Sequence, residues 1–117
     1  MFLFRMSVLG GAVLILGLPL PVPARAAQEQ APPAAVVVHI SNFSFNSQTV
    51  VVPAGTTVAW VNDDDDPHTV VATDKTFHSR ALDTGDRFAF TFAKAGTYAY
   101  FCSLHPHMTG KVIVQAR

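Results

Sequence analysis

Cys102, His105 and Met108 place a thiol, an imidazole and a thioether at three-residue intervals near the end of a 117-residue chain. A thiolate and a neutral imidazole bind borderline-soft metals strongly, and a thioether adds a weak soft donor that suits copper. The preceding run, Tyr98-Ala99-Tyr100-Phe101, is strand-like, and the chain breaks into a short loop at Cys102. Such a break lets the three donors converge on one point. A second imidazole completes the two-His, one-Cys, axial-Met set of an electron-transfer copper site. His68, in Asp66-Pro67-His68-Thr69-Val70, is the best upstream candidate. His39 and His78 have no ligand-type partner at suitable spacing and read as surface or hydrogen-bonded histidines.

Cys102 is the sole cysteine, so the chain has no internal disulfide. A lone thiol in an exported protein is a liability unless something occupies it. The N-terminus points to export. Arg5 supplies a positive flank, Val8 to Leu20 is apolar and uncharged, and Ala24-Arg25-Ala26 has the small-x-small form of a cleavage site. The apolar run is short for a bilayer span, which takes about 20 residues. We therefore expect residues 1–26 to be a signal peptide cut after Ala26 and the mature chain to be periplasmic, without stable membrane insertion.

That cut removes Arg5 and Arg25, leaving six cations against eight carboxylates and a net charge of −2. The remaining cations are scattered, which excludes a nucleic-acid footprint. Residues 27–35 carry two prolines and no periodicity, and read as a flexible leader. Residues 36–117 suffice for one small domain with one core.

The elements that must position the donors are strands. Val36-Val37-Val38-His39-Ile40, Phe43 with Phe45, Val50-Val51-Val52, Thr57 to Asn62, His68 to Thr73, Arg87 to Phe92, Thr97 to Phe101 and Lys111 to Val114 are short β-prone runs. Turn signatures such as Pro53-Ala54-Gly55 and Lys94-Ala95-Gly96 separate them. Phe88, Phe90 and Phe92 share one face at period two, as do Tyr98, Tyr100 and Cys102. Asp74 to Asp86 is irregular. The expectation is all-β: an antiparallel Greek-key sandwich of seven to eight strands, with a site at one end between the sheets.

With these pieces in place the chain resembles the cupredoxins, the plastocyanin–azurin group, and most closely their amicyanin-like branch. The resemblance rests on Trp60-Val61-Asn62, Pro67-His68, Gly96-Thr97-Tyr98, Cys102-x-x-His105-x-x-Met108 and Gly110-Lys111-Val112. It implies one type 1 copper ion, with His68, Cys102 and His105 as equatorial ligands and Met108 as the weak axial one. It further implies that Asn62 ties the His68 loop to the Cys102 loop. The compact Cys-to-Met loop is what favours the amicyanin-like branch. Two residues depart from that branch: Leu104 stands where proline is usual, and His107 replaces a large apolar residue beside Met108.

The function so implied is one-electron transfer, with His105 as the exit near an apolar surface framed by Leu104, Pro106 and Met108. Partners are then transient redox proteins, a donor dehydrogenase or other reductant and an acceptor cytochrome or oxidase, met by a monomer. Copper delivery or homeostasis is the rival, although Met108 is the single methionine left in a plausible mature site. An enzyme needs a substrate position or a second metal centre, and the sequence displays neither. A metal-free binding sandwich leaves the donor spacing as coincidence. The run Asp63-Asp64-Asp65-Asp66 reads as a solvated turn-capping loop, with partner steering as the alternative. Its adjacent carboxylates lack the alternating spacing of a calcium loop.

Overall fold

The computed structural model describes residues 10–19 and 34–117. The chain divides into two units, Met1–Ala31 and Pro32–Arg117. Within the first, residues 10–19 are exposed and form no regular element. The expected cleavage site at Ala24-Arg25-Ala26 lies outside the described residues. Among those residues no helix is long and apolar enough to cross a membrane.

The second unit is built of eight strands: β1 (Val36–Ser41), β2 (Ser44–Asn46), β3 (Thr49–Pro53), β4 (Thr56–Asn62), β5 (Val71–Ala72), β6 (Arg87–Phe92), β7 (Gly96–Phe101) and β8 (Thr109–Gln115). They form two four-stranded sheets, ordered β2-β1-β4-β6 and β3-β8-β7-β5. The all-β sandwich is as expected, but the pairing is mixed. β1 lies parallel to β4, with Val38 opposite Trp60, and β3 lies parallel to β8, with Val50 opposite Val112. The other four pairings are antiparallel. Parallel neighbours need a connection that leaves and returns. Here β2 and β3 intervene between β1 and β4, so the chain changes sheet before β4 pairs back onto β1.

Alternation in the sequence sets which side chains enter the core. Val38 and Ile40 point inward from β1, Val50 and Val52 from β3, and Val112 and Val114 from β8, while their neighbours Val37 and Val51 face solvent. Trp60 sits at the centre, fully buried and packed on Phe77, Phe88, Phe92 and Tyr100. The stretch Asp74 to Asp86 is irregular, as expected, but it is not peripheral. It delivers Phe77 and Leu82 to the core, and Ser79 Oγ accepts the Val70 backbone N–H at 2.8 Å. The run from His68 to Thr73 is not one strand. Only Val71–Ala72 pairs with β7, and His68 instead bridges Leu82.

Two glycines are fixed by geometry. Gly55 turns β3 into β4 at φ 93°, a left-handed conformation open to glycine at no steric cost. Gly110 lies against the Tyr100 ring, and a Cβ there would overlap it. Both members are buried, so neither can move aside.

Two predictions follow from this packing. Gly110→Ala is expected to lose about 1–3 kcal/mol by overpacking, read as a lower urea midpoint at unchanged m-value. The second concerns Tyr100, whose hydroxyl burial pushes up to about 12. The neighbouring Trp60 indole acts in the opposite direction and is the smaller influence. Above the ordinary tyrosine value the unfolded chain releases this proton while the folded chain keeps it. Its contribution is therefore intact below about pH 10 and is lost towards pH 12, in all about 2–3 kcal/mol. Urea unfolding of Tyr100→Phe and the parent at pH 9 and 11.5 checks this: the parent should lose more stability between the two pH values than the variant.

Candidate metal centre

The site forms at one end of the sandwich, where β4 runs out towards His68 and β7 ends before Cys102. The Cys102–Met108 loop consists of successive tight turns. His105 N–H donates to the Cys102 carbonyl at 3.3 Å, Met108 N–H donates to the His105 carbonyl at 2.9 Å, and Cys102 N–H donates to the Met108 carbonyl at 3.0 Å. Each turn advances the chain by three residues, which is why donors spaced by three can return to one place. Met108 is buried at the end of this loop.

His68 is held from both sides. Its backbone exchanges two hydrogen bonds with Leu82, at 3.1 and 2.7 Å. The buried Asn62 side chain donates to the Asp66 and Leu82 carbonyls and accepts the Asp64 N–H. Asn62 thus shapes the 63–67 loop and does not reach the Cys102 loop, contrary to expectation. Thr69 makes that connection. Its N–H donates to Cys102 Sγ at 3.3 Å, and its Oγ1 accepts the Ser103 N–H at 2.7 Å and pairs with Ser103 Oγ at 2.8 Å. A residue next to His68, and not one six positions before it, is the one whose hydroxyl can face the strand-to-loop break after β7.

The expected donors come together. Cys102 Sγ lies 3.7 Å from His68 Nδ1 and 3.7 Å from His105 Nδ1, and the three atoms lie within 4.8 Å of one another. A metal–sulfur length of about 2.3 Å and a metal–nitrogen length of about 2.0 Å, at a trigonal angle, separate sulfur from nitrogen by about 3.7 Å. Both sulfur–nitrogen spacings are therefore those that one ion requires. Cys102 and His68 are fully buried, and His105 is partly exposed. Together with the buried Met108, this set fits a single type 1 copper site.

Protonation is arranged to match. His68 Nε2 lies 2.9 Å from Asp64 Oδ2. A carboxylate can only accept, so Nε2 carries the proton and the Nδ1 lone pair faces the thiol. Asp64 Oδ1 accepts the Asn42 N–H and Oδ2 accepts the Phe43 N–H, at 2.8 and 2.9 Å. Partial burial raises the Asp64 pKa, but the bonds from Phe43, His68 and Asn42 outweigh it and hold the carboxyl below the ordinary range.

Sequence reasoning missed Asp64, Thr69 and Phe43. The four-residue spacing of Asp64 and His68 was the available signal, hidden within a run of four aspartates. The Phe43 ring meets His68 edge-on at 5.3 Å and His105 at 5.0 Å. Met108 does not frame the surface around His105; Leu104, 50% exposed, and Pro106 do. His39 is exposed and bonded to Asp63 at 2.7 Å, and His78 and His107 are exposed.

Comparison with known proteins supports the geometry. The family model for a cupredoxin-like domain matches residues 12–114. Amicyanin from Paracoccus versutus is 39% identical over 89 residues, covering 72% of this chain and 67% of its own length. A purple cupredoxin from Nitrosopumilus maritimus superposes with a TM-score of 0.65 at 34% identity, covering 68% of this chain and 99% of that one. An amicyanin variant in its Cu(I) form gives a TM-score of 0.67 at 33% identity, over 74% of this chain and 88% of that one.

Thr69→Val tests the tie between the loops. It removes the acceptor for Ser103 N–H while keeping volume and the N–H to Cys102 Sγ. Leaving a part-buried donor unpaired costs about 1–3 kcal/mol, so thermal or urea unfolding should fall by that amount. Ser103→Ala keeps the backbone bond to Thr69 and should cost less than Thr69→Val.

Proposed function

The chain belongs to the cupredoxin-like family, and on that premise we propose that it is a type 1 (blue) copper protein that carries single electrons between redox partners. His68, Cys102 and His105 are its equatorial ligands, and Met108 is the weak axial one. The observation that carries the reading is the equal 3.7 Å approach of two imidazole Nδ1 atoms to one buried thiol. When bound, copper supplies the one-electron Cu(I)/Cu(II) couple. The protein supplies a fixed set of donors that suits both states, two neutral imidazoles, a thiolate and a thioether, so little has to move.

Each residue has a defined task. The Thr69 N–H points at Cys102 Sγ and stabilises negative charge there. Asp64 holds His68 in the tautomer that leaves Nδ1 free. Full burial of His68 and Cys102 keeps water from those two donors. His105 is the partly exposed donor and the route by which an electron enters or leaves, beside the exposed Leu104 and Pro106.

The partners we propose are transient redox proteins, a dehydrogenase or other reductant as donor and a cytochrome or oxidase as acceptor, meeting a monomer over a small interface. Arg5, the apolar run from Val8 and the small residues Ala24 and Ala26 support export to the periplasm, with residues 1–26 removed, 27–35 as leader and 36–117 as the copper domain. Delivery of copper to another protein fits less well, since hand-over needs accessible donors and Cys102 is 0% exposed.

One equivalent of Cu(II) added to the mature chain, beside Cys102→Ser, tests the proposal. An intense visible thiolate-to-copper band with small EPR hyperfine splitting, absent in the variant, is expected. A pale, ordinary Cu(II) spectrum from the parent chain overturns the reading.

A further inference from the structure

Phe43 is an anomaly of both exposure and backbone. It is 47% exposed, yet its ring is not free: it meets His68 edge-on at an interplanar angle of 87° and His105 at 83°. The two imidazoles themselves lie 4.9 Å apart, tilted by 59°. One side chain from the β1–β2 turn therefore touches both histidines, which come from two different loops.

The turn that carries it is strained. Asn42 and Phe43 both adopt positive φ, 52° and 54°. Asparagine visits this left-handed region readily, whereas a bulky aromatic residue rarely does. Asp64 holds the turn in place, with Oδ1 accepting from Asn42 N–H and Oδ2 from Phe43 N–H. Successive backbone N–H groups converging on one carboxylate form an anion-binding concavity. The same Oδ2 accepts the His68 Nε2 proton. One carboxylate thus joins the strained turn to one histidine ring, and the ring borne by that turn packs on both histidines.

We propose that Phe43, clamped by Asp64, is a positioning residue that holds the His68 and His105 rings with their Nδ1 atoms facing Cys102 before any metal arrives. This deepens the copper reading and rests on it for its purpose, although the ordering of the rings is a property of the metal-free chain. His105 depends on Phe43 most. It is partly exposed, and apart from the Nδ1 approach to Cys102 Sγ its hydrogen bonds are made by its backbone, whereas His68 also has Asp64. An edge-on aromatic contact is directional, because the positive ring edge seeks the face of its neighbour, so it restricts rotation more than a flexible aliphatic chain does.

The test uses the mature chain in two states. In the metal-free state, side-chain NMR of the histidines reads ring order directly. Phe43→Ala should broaden or double the His105 ring resonances, while the amide shifts of the sandwich strands stay in place. With copper added, the Cu(II) dissociation constant of Phe43→Ala should rise about tenfold, the scale on which outer contacts act on a metal site. Phe43→Tyr should restore both readouts, and Asp64→Ala should reproduce the defect and extend it to His68. Unchanged histidine resonances and an unchanged dissociation constant in Phe43→Ala overturn the proposal. A parent chain that yields no blue spectrum overturns the copper reading instead, and the metal-free NMR arm still decides whether Phe43 orders the rings.

Discussion

The functional end of this molecule depends on a side-chain tie between two loops, the contact of Thr69 with Cys102 and Ser103, 33 and 34 residues further along the chain. The sandwich brings β4 and β7 into opposite sheets, and the short β5–β7 pairing, with Val71 opposite Phe101, lays the chain beyond His68 beside the approach to Cys102 without itself fixing one loop to the other. Thr69 makes the join with two different groups. Its N–H points at the thiol and its hydroxyl takes the Ser103 N–H, both in buried or part-buried surroundings where an unmade bond is costly. The distance between the His68 and Cys102 donors is therefore a consequence of ordinary hydrogen bonding and does not need metal to create it.

The electrostatics follow a similar logic. The four consecutive aspartates do not share one environment, although the sequence presents them as equals. Asp63 pairs with the exposed His39, Asp64 turns inward to three donors, and Asp65 and Asp66 stay at the surface. A charge run is usually a solvated face, and for three of the four it is. Asp64 escapes that description because the buried Asn62 side chain accepts its backbone N–H and bends the loop back on itself. The buried Asn62 side chain is satisfied fully, using both its donors and its acceptor.

How much of this was legible from the chain depends on whether the information was periodic, local or relational. Alternation at Val38 and Ile40, Val50 and Val52, and Tyr98, Tyr100 and Cys102 gave strands and inward faces correctly, because strand parity is a property of single elements. The spacing of Cys102, His105 and Met108 was equally readable, since successive three-residue turns are local. Mixed sheet pairing was not, because parallel and antiparallel neighbours draw on the same residue types. The break of the run after His68 was hidden for a related reason: Val70 and Val71 are β-prone, but the bridge to Leu82 takes the His68 backbone first. Thr69 and Phe43 act through partners far along the chain, and no local pattern marks them.

Phe43 shows why a residue can look misplaced until its partners are counted. An aromatic side chain half in water, on a backbone conformation that aromatic residues avoid, is a double local conflict. Such conflicts persist only where surrounding structure over-determines them, and they gather at functional sites. Here the over-determination is visible: two N–H groups of the turn are fixed by a carboxylate whose second task is to orient His68. Relaxing the turn to an ordinary conformation would move the ring off His68 and His105 and release one carboxylate oxygen from the backbone. The strain, the ring contacts and the tautomer of His68 are therefore a single arrangement. Its effect is to make the donors rigid on the side of the centre where the chain, through His105, is most open to solvent.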